Sequence, residues 1–69
     1  MPYSANETLS KLLKAGFQVK RQSCSHIVLR HSNGCQTYVS MHPGDIPVGT
    51  FKKILKQAGI TEEEFKNIK

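Results

Sequence analysis

Residues 26–41 read His26-Ile27-Val28-Leu29-Arg30-His31-Ser32-Asn33-Gly34-Cys35-Gln36-Thr37-Tyr38-Val39-Ser40-Met41. Two runs rich in β-branched and aliphatic residues flank Asn33-Gly34, the strongest short hairpin signal a sequence carries. Residues 26–31 and 36–41 are therefore predicted to be strands joined by a tight turn. A two-residue turn pairs His26 with Met41, and a three-residue turn pairs His26 with Ser40. A slip of one residue exchanges the faces of the sheet. Thr37, Val39 and Met41 form the apolar set of the second run, and the two-residue turn matches them to Val28. That register is the expectation. It sets His26 and Arg30 on the same side, with His26 near the strand end, where a sheet edge still reaches water.

Working outward, Phe17 and Val19 alternate with Gln18 and Lys20, so residues 17–22 read as a further strand. Ser23-Cys24-Ser25 is the turn between them. Upstream, Ser4-x-x-Glu7 fits a capping box, with Asn6 as an alternative cap. Leu9, Leu12 and Leu13 share one arc with Ala5, while Ser10, Lys11 and Lys14 take the other. A helix over about residues 5–15 follows, stopped by Gly16.

Downstream, residues 42–45 are a loop, and Pro47 suits the first turn of a helix. Val48, Phe51, Ile54, Leu55 and Ala58 form its apolar arc, opposite Lys52, Lys53 and Lys56, and Gly59 ends it. Thr61-x-x-Glu64 is a second capping box. It opens a short last helix with Phe65 and Ile68, whose positive end carries Glu62 to Glu64. The order α-β-β-β-α(-α) implies an α+β fold: a three-stranded antiparallel sheet with two helices on one face and the other face open. Residues 1–69 form a single domain.

A chain of 69 residues buries only a thin core. A large enclosed ligand cavity is not expected, so chemistry belongs on an open surface and acts on something large. Ten Lys and Arg oppose five Asp and Glu, for a net charge of +5 and a pI near 9.5. Such a surface favours an anionic partner: nucleic acid, an acidic protein or an anionic membrane. No apolar run approaches the roughly 18 residues of a membrane span, and no signal peptide is read. Cys24 and Cys35 form no C-x-x-C motif. A cytoplasmic protein with reduced thiols is the expectation.

His26, His31 and His42 are the residues best suited to chemistry, because histidine exchanges a proton near neutral pH. His26 and His31 stand five apart along a strand, so they face opposite ways and share no ion unless a bulge intervenes. There is no H-E-x-x-H, and Asp45 is the one carboxylate nearby. A zinc site from Cys24, His26 and His42 is conceivable, but no metal is the expectation. Cys24, close to Lys20 and Arg21, is a candidate thiol nucleophile beside His26. The plainer reading makes it a small apolar filler. Lys20, Arg21 and Arg30 cluster around the His26 turn, and Lys52, Lys53 and Lys56 line a helix. Each can contact phosphate without reading sequence, although a lysine-rich helix face is also an ordinary solvated surface.

Four stretches together carry a family resemblance. They are residues 11–17, Lys11-Leu12-Leu13-Lys14-Ala15-Gly16-Phe17; Arg21 to Ser25 leading into His26, then Arg30-His31; His42-Pro43-Gly44; and residues 47–59 around Gly49-Thr50-Phe51-Lys52-Lys53. In order and spacing they resemble the HicA (YcfA-like) toxin family, from Leu9 to about Lys69. The resemblance implies a fold like that of double-stranded-RNA-binding domains. It also implies metal-independent mRNA cleavage and neutralisation by a HicB-like antitoxin in a type II toxin–antitoxin system. The catalytic histidine of the family follows a Gly-Ser pair. Here the pair is Cys24-Ser25, which makes His26 the catalytic candidate and Ser25 a contact residue.

The resulting expectation is an endoribonuclease with no cofactor and no membrane association, whose partners are mRNA and the antitoxin. Its RNA-binding residues are Lys20, Arg21, Ser25, Arg30, Lys52, Lys53 and Lys56. RNA supplies its own nucleophile, the 2′-hydroxyl, so His26 need only take that proton or protonate the leaving 5′-oxygen while cations offset phosphorane charge. Two other readings share the same charge and fold. One is a non-catalytic RNA-binding module, and the other is a domain whose open basic face docks an acidic protein.

Overall fold

The structure, a computed structural model, describes residues 3–23, 25–41 and 44–68. Helix α1 is Ala5–Lys14, strands β1, β2 and β3 are Gln18–Ser23, His26–Arg30 and Gln36–Ser40, and helices α2 and α3 are Val48–Ala58 and Glu62–Asn67. The strands form one antiparallel sheet in the order β1-β2-β3. The expected α+β class and element order are found.

The helix ends follow from capping chemistry. The Ser4 hydroxyl accepts the Glu7 N–H at the start of α1, so Asn6 lies inside the helix. At its end the Phe17 N–H reaches the Leu12 carbonyl and the Gly16 N–H reaches that of Leu13. This 6→1 and 5→2 pair needs positive φ at Gly16, which is +104°. Gly59 closes α2 in the same way, with Ile60 N–H on the Leu55 carbonyl. Both halves of the Thr61–Glu64 capping box are formed.

The hairpin turn corrects the predicted register. His31 N–H donates to the Cys35 carbonyl, and Gly34 N–H donates to that of His31. Gly34 sits at φ +98°. This is a three-residue loop with glycine at the left-handed position. The pairs are therefore His26–Ser40, Ile27–Val39, Val28–Tyr38, Leu29–Thr37 and Arg30–Gln36. Ile27, Leu29, Thr37 and Val39 are buried under the helices. His26, Val28 and Arg30 lie on the opposite, open face, not beside Thr37 and Val39. Met41, expected in the buried strand set, falls just past β3 and is half-buried.

The helical arcs are narrower than the apolar pattern. In α1, Ala5, Thr8 and Leu12 are buried, while Leu13 is 43% exposed. Thr8 satisfies its hydroxyl on the Ser4 carbonyl, so burial leaves no orphaned polar atom. In α2, Phe51, Ile54, Leu55 and Ala58 are buried as expected, but Val48, in the first turn, is 61% exposed. Phe65 of α3 is fully buried and edge-on to Tyr3 and Phe51. Thr37 Oγ1 donates to the Ile54 carbonyl, pinning β3 to α2.

Candidate nucleic-acid interface

The open face is a grid set by strand pairing, because directly opposed residues of an antiparallel pair project to the same side. One row is Ser23, His26 and Ser40. The next is Arg21, Val28 and Tyr38. The third is Gln18, Arg30 and Gln36. All five acidic residues of the chain fall outside the strands. The grid thus carries two arginines and a histidine with no carboxylate among them.

A bulge in β1 builds this grid. Val19 pairs with Leu29, but the next pair is Arg21 with Val28, leaving Lys20 as the inserted residue. Without the insertion Arg21 would oppose Ile27 and join the core side. The extra residue re-aims Arg21 and Ser23 to the open face, beside Val28 and His26. The whole of β1 is exposed, and Val19, nominally on the core side, is 46% exposed at this uncovered edge.

His26 is exposed at the start of β2. Its Nδ1 lies 3.4 Å from Ser25 Oγ, a long contact, and no hydrogen bond from Nε2 is formed among the described residues. Ser25 is anchored in turn by the Met41 N–H, which donates to its carbonyl at 2.6 Å. Ser25, next to His26, is thus tied to the residue that follows β3.

The sequence-predicted residues separate into two groups. His26, Ser25, Arg21 and Arg30 lie on the open face or its rim, and Lys20 lies in the bulge beside it. Lys52, Lys53 and Lys56 are exposed on α2, which packs through Phe51, Ile54, Leu55 and Ala58 against the other side of the sheet. The fold does not bring these lysines to His26. His31 also departs from the site. Its Nε2 meets the Ala15 carbonyl, its Nδ1 accepts the Asn33 N–H, and its ring packs against Phe17. With both nitrogens engaged away from the open face, His31 and His26 do not converge. Cys24 and His42, and with them the possible zinc set and the thiol nucleophile, lie outside the described residues. Among the described residues no group of three His, Cys, Asp or Glu is placed to hold a metal.

Sequence reasoning did not place Tyr38 on the open face. The residue is 44% exposed there, with its ring centroid 6.4 Å from that of His26. The signal was available in the three-residue reading of the turn, which puts Tyr38 opposite Val28 and diagonal to His26.

No curated protein matches the chain. Among the described residues no helix is long and apolar enough to cross a membrane. The family model described as the HicA toxin of bacterial toxin–antitoxin systems matches residues 5–60, from the first residue of α1 to just past α2, and so spans the whole open face. The chain belongs to the HicA toxin family, whose members act within toxin–antitoxin systems and so have an antitoxin partner.

Proposed function

We propose that this chain is the toxin of a type II toxin–antitoxin pair and that it cleaves mRNA as a metal-independent endoribonuclease with His26 as its catalytic residue. The observation that carries the reading is the placement of an exposed imidazole, backed by Ser25 and one row from Arg21, on a sheet face free of carboxylates. An RNA phosphate meets cations there and no like charge. The attacking group is the substrate's own 2′-hydroxyl. His26 takes its proton or protonates the leaving 5′-oxygen, and Arg21 and Arg30 offset the charge on the phosphorane. One imidazole serves poorly as both base and acid in a single step, so turnover is slow unless a second group contributes. Lys20 and Ser25 contact the RNA backbone at the rim. Acting on mRNA places the protein in the cytoplasm. A HicB-like antitoxin neutralises it by covering His26 or blocking RNA access to this face.

The test is induced expression of the native chain and of His26→Ala, read as growth arrest and RNA decay. Arrest and cleavage by the native chain, with neither in a folded His26→Ala variant, support the reading. Toxicity of both chains assigns catalysis to another residue, and harmlessness of both leaves a binding module. RNA with a 2′-deoxy nucleotide at the cleaved position should survive, and its cleavage at the same site rules out the 2′-hydroxyl route.

A further inference from the structure

We propose that Tyr38 is the base-stacking residue of the open face, so that the site takes an unpaired nucleotide laid beside His26 and selects single-stranded RNA. The inference rests on the nuclease reading and adds to it the form of the substrate and the residue that recognises it.

The other described aromatic side chains have a structural partner. Tyr3, Phe51 and Phe65 pack on one another, and Phe17 packs on His31. Tyr38 alone stands on the helix-free face. There its nearest aromatic neighbour is His26, whose ring is tilted by 49° and does not cover it by stacking. Val28, half-buried, lies directly across the strand pair, and a shallow groove at the β3 edge is lined by Val28, Gln36, Thr37, Tyr38 and, from α2, Gln57. Arg21 stands on the far side of Val28 in the same row, and Arg30 stands one row on. An exposed aromatic ring beside the aliphatic Val28, with guanidiniums on the same face, supplies the elements by which sheet surfaces bind single-stranded nucleic acid. The base stacks on the ring while the cations follow the backbone. A duplex keeps its bases stacked on each other and offers no free face to Tyr38. The 6.4 Å between ring centroids is short enough for a nucleotide stacked on Tyr38 to carry its sugar and phosphate to the imidazole.

The test is equilibrium binding of a fluorescent, uncleavable 2′-O-methyl RNA strand to the native chain and to Tyr38→Ala, Tyr38→Phe and Tyr38→Leu. The same strand annealed to its complement serves as competitor. Tyr38→Ala and Tyr38→Leu should each weaken binding by about tenfold or more, whereas Tyr38→Phe, which keeps the ring, should bind like the native chain. In cleavage assays the loss should appear in KM with kcat little changed. The duplex should compete poorly. Full affinity in Tyr38→Leu overturns the proposal and leaves the ring to a protein partner. A loss in Tyr38→Phe equal to that in Tyr38→Leu also overturns it, since the hydroxyl would then be the contact. Competition by the duplex as strong as by the single strand overturns it too. Because the probe is never cut, ring-dependent binding by a chain that cleaves nothing fails only the nuclease reading. Cleavage that is indifferent to Tyr38 fails only this one.

Discussion

His31 ties the β2–β3 turn to the end of α1: its Nε2 donates to the Ala15 carbonyl at 3.2 Å, while its Nδ1 accepts the Asn33 N–H at 3.1 Å. The two bonds together fix the tautomer with the proton on Nε2. A histidine that resembles His26 in the sequence thus has a structural task. His31→Ala should lower stability by about 1–3 kcal/mol through the lost hydrogen bonds and the lost packing on Phe17. His26→Ala, at an exposed position, should stay within about 0.5 kcal/mol of the native chain. Urea titrations of the two variants, set beside their RNA cleavage, check the separation. His31→Ala should cleave in proportion to its folded fraction, and His26→Ala should fold and not cleave.

The same junction makes Gly16 irreplaceable. Its φ of +104° is one that L side chains rarely adopt, and a Cβ there would sit 2.9 Å from His31 Nε2. Gly16→Ala therefore strains the backbone and pushes the imidazole off the Ala15 carbonyl, at a cost of about 2–4 kcal/mol. Gly49 lies in α2 with open space around the Cβ position. Gly49→Ala should raise stability by about 0.4–1 kcal/mol, by restricting the unfolded chain. Thermal melts of the two variants should move in opposite directions, and a shared direction would contradict the geometry.

What the sequence made legible was local chemistry. Ser4, Gly16, Gly59 and the Thr61–Glu64 box mark helix ends because capping is decided within a few residues. The strand register was not legible, because Asn33-Gly34 suits a two-residue turn as well as the three-residue loop that forms. The choice falls to core packing, which accepts Ile27 and Leu29 together and turns Val28 outward. The bulge at Lys20 was hidden for a similar reason. It leaves no residue-type signal, yet it decides that Arg21 faces His26's side of the sheet. Leu13 and Val48 misled because apolar spacing gives the direction of a helix face, not how far its neighbours extend to cover it. His26 is singled out by its motif alone, and the place of Tyr38 on the open face was hidden with the register.

Lys11, expected on the solvated arc of α1, instead closes the end of α3. Its Nζ donates to the Ile68 carbonyl at 2.8 Å and lies 3.3 Å from that of Phe65, with the rings of Tyr3 and Phe65 within 5.5 Å. A cation at the last carbonyls of a helix satisfies acceptors the helix leaves open. Lys11→Met keeps the apolar stem and removes the charge. It should release α3 locally, at a cost of about 1–2 kcal/mol. Hydrogen exchange should then speed up at residues 65–68 and stay unchanged in β2 and β3. Uniform acceleration across the chain would show that Lys11 supports the whole core instead.

The sheet separates two sets of cations, and salt dependence can test the proposal that the open-face set meets RNA. Arg21 and Arg30 share the open face with His26, whereas Lys52, Lys53 and Lys56 stand on the helix that covers the opposite face. A protein–phosphate contact releases a counterion, so each one lost should flatten the log–log salt slope by about 0.7 for a single strand. If RNA follows the proposed path, a short unpaired segment on the open face touches both arginines, so Arg21→Gln and Arg30→Gln should each flatten the slope by about that amount and weaken binding. Replacing all three helix lysines with glutamine should change the slope for such a segment by less than one arginine does. A long RNA can still reach them by wrapping the β3 edge. A lysine effect that appears only as the strand is lengthened would therefore mark α2 as an outlying backbone contact. An effect already present on the shortest cleavable strand would move the RNA path off the open face and onto the helices.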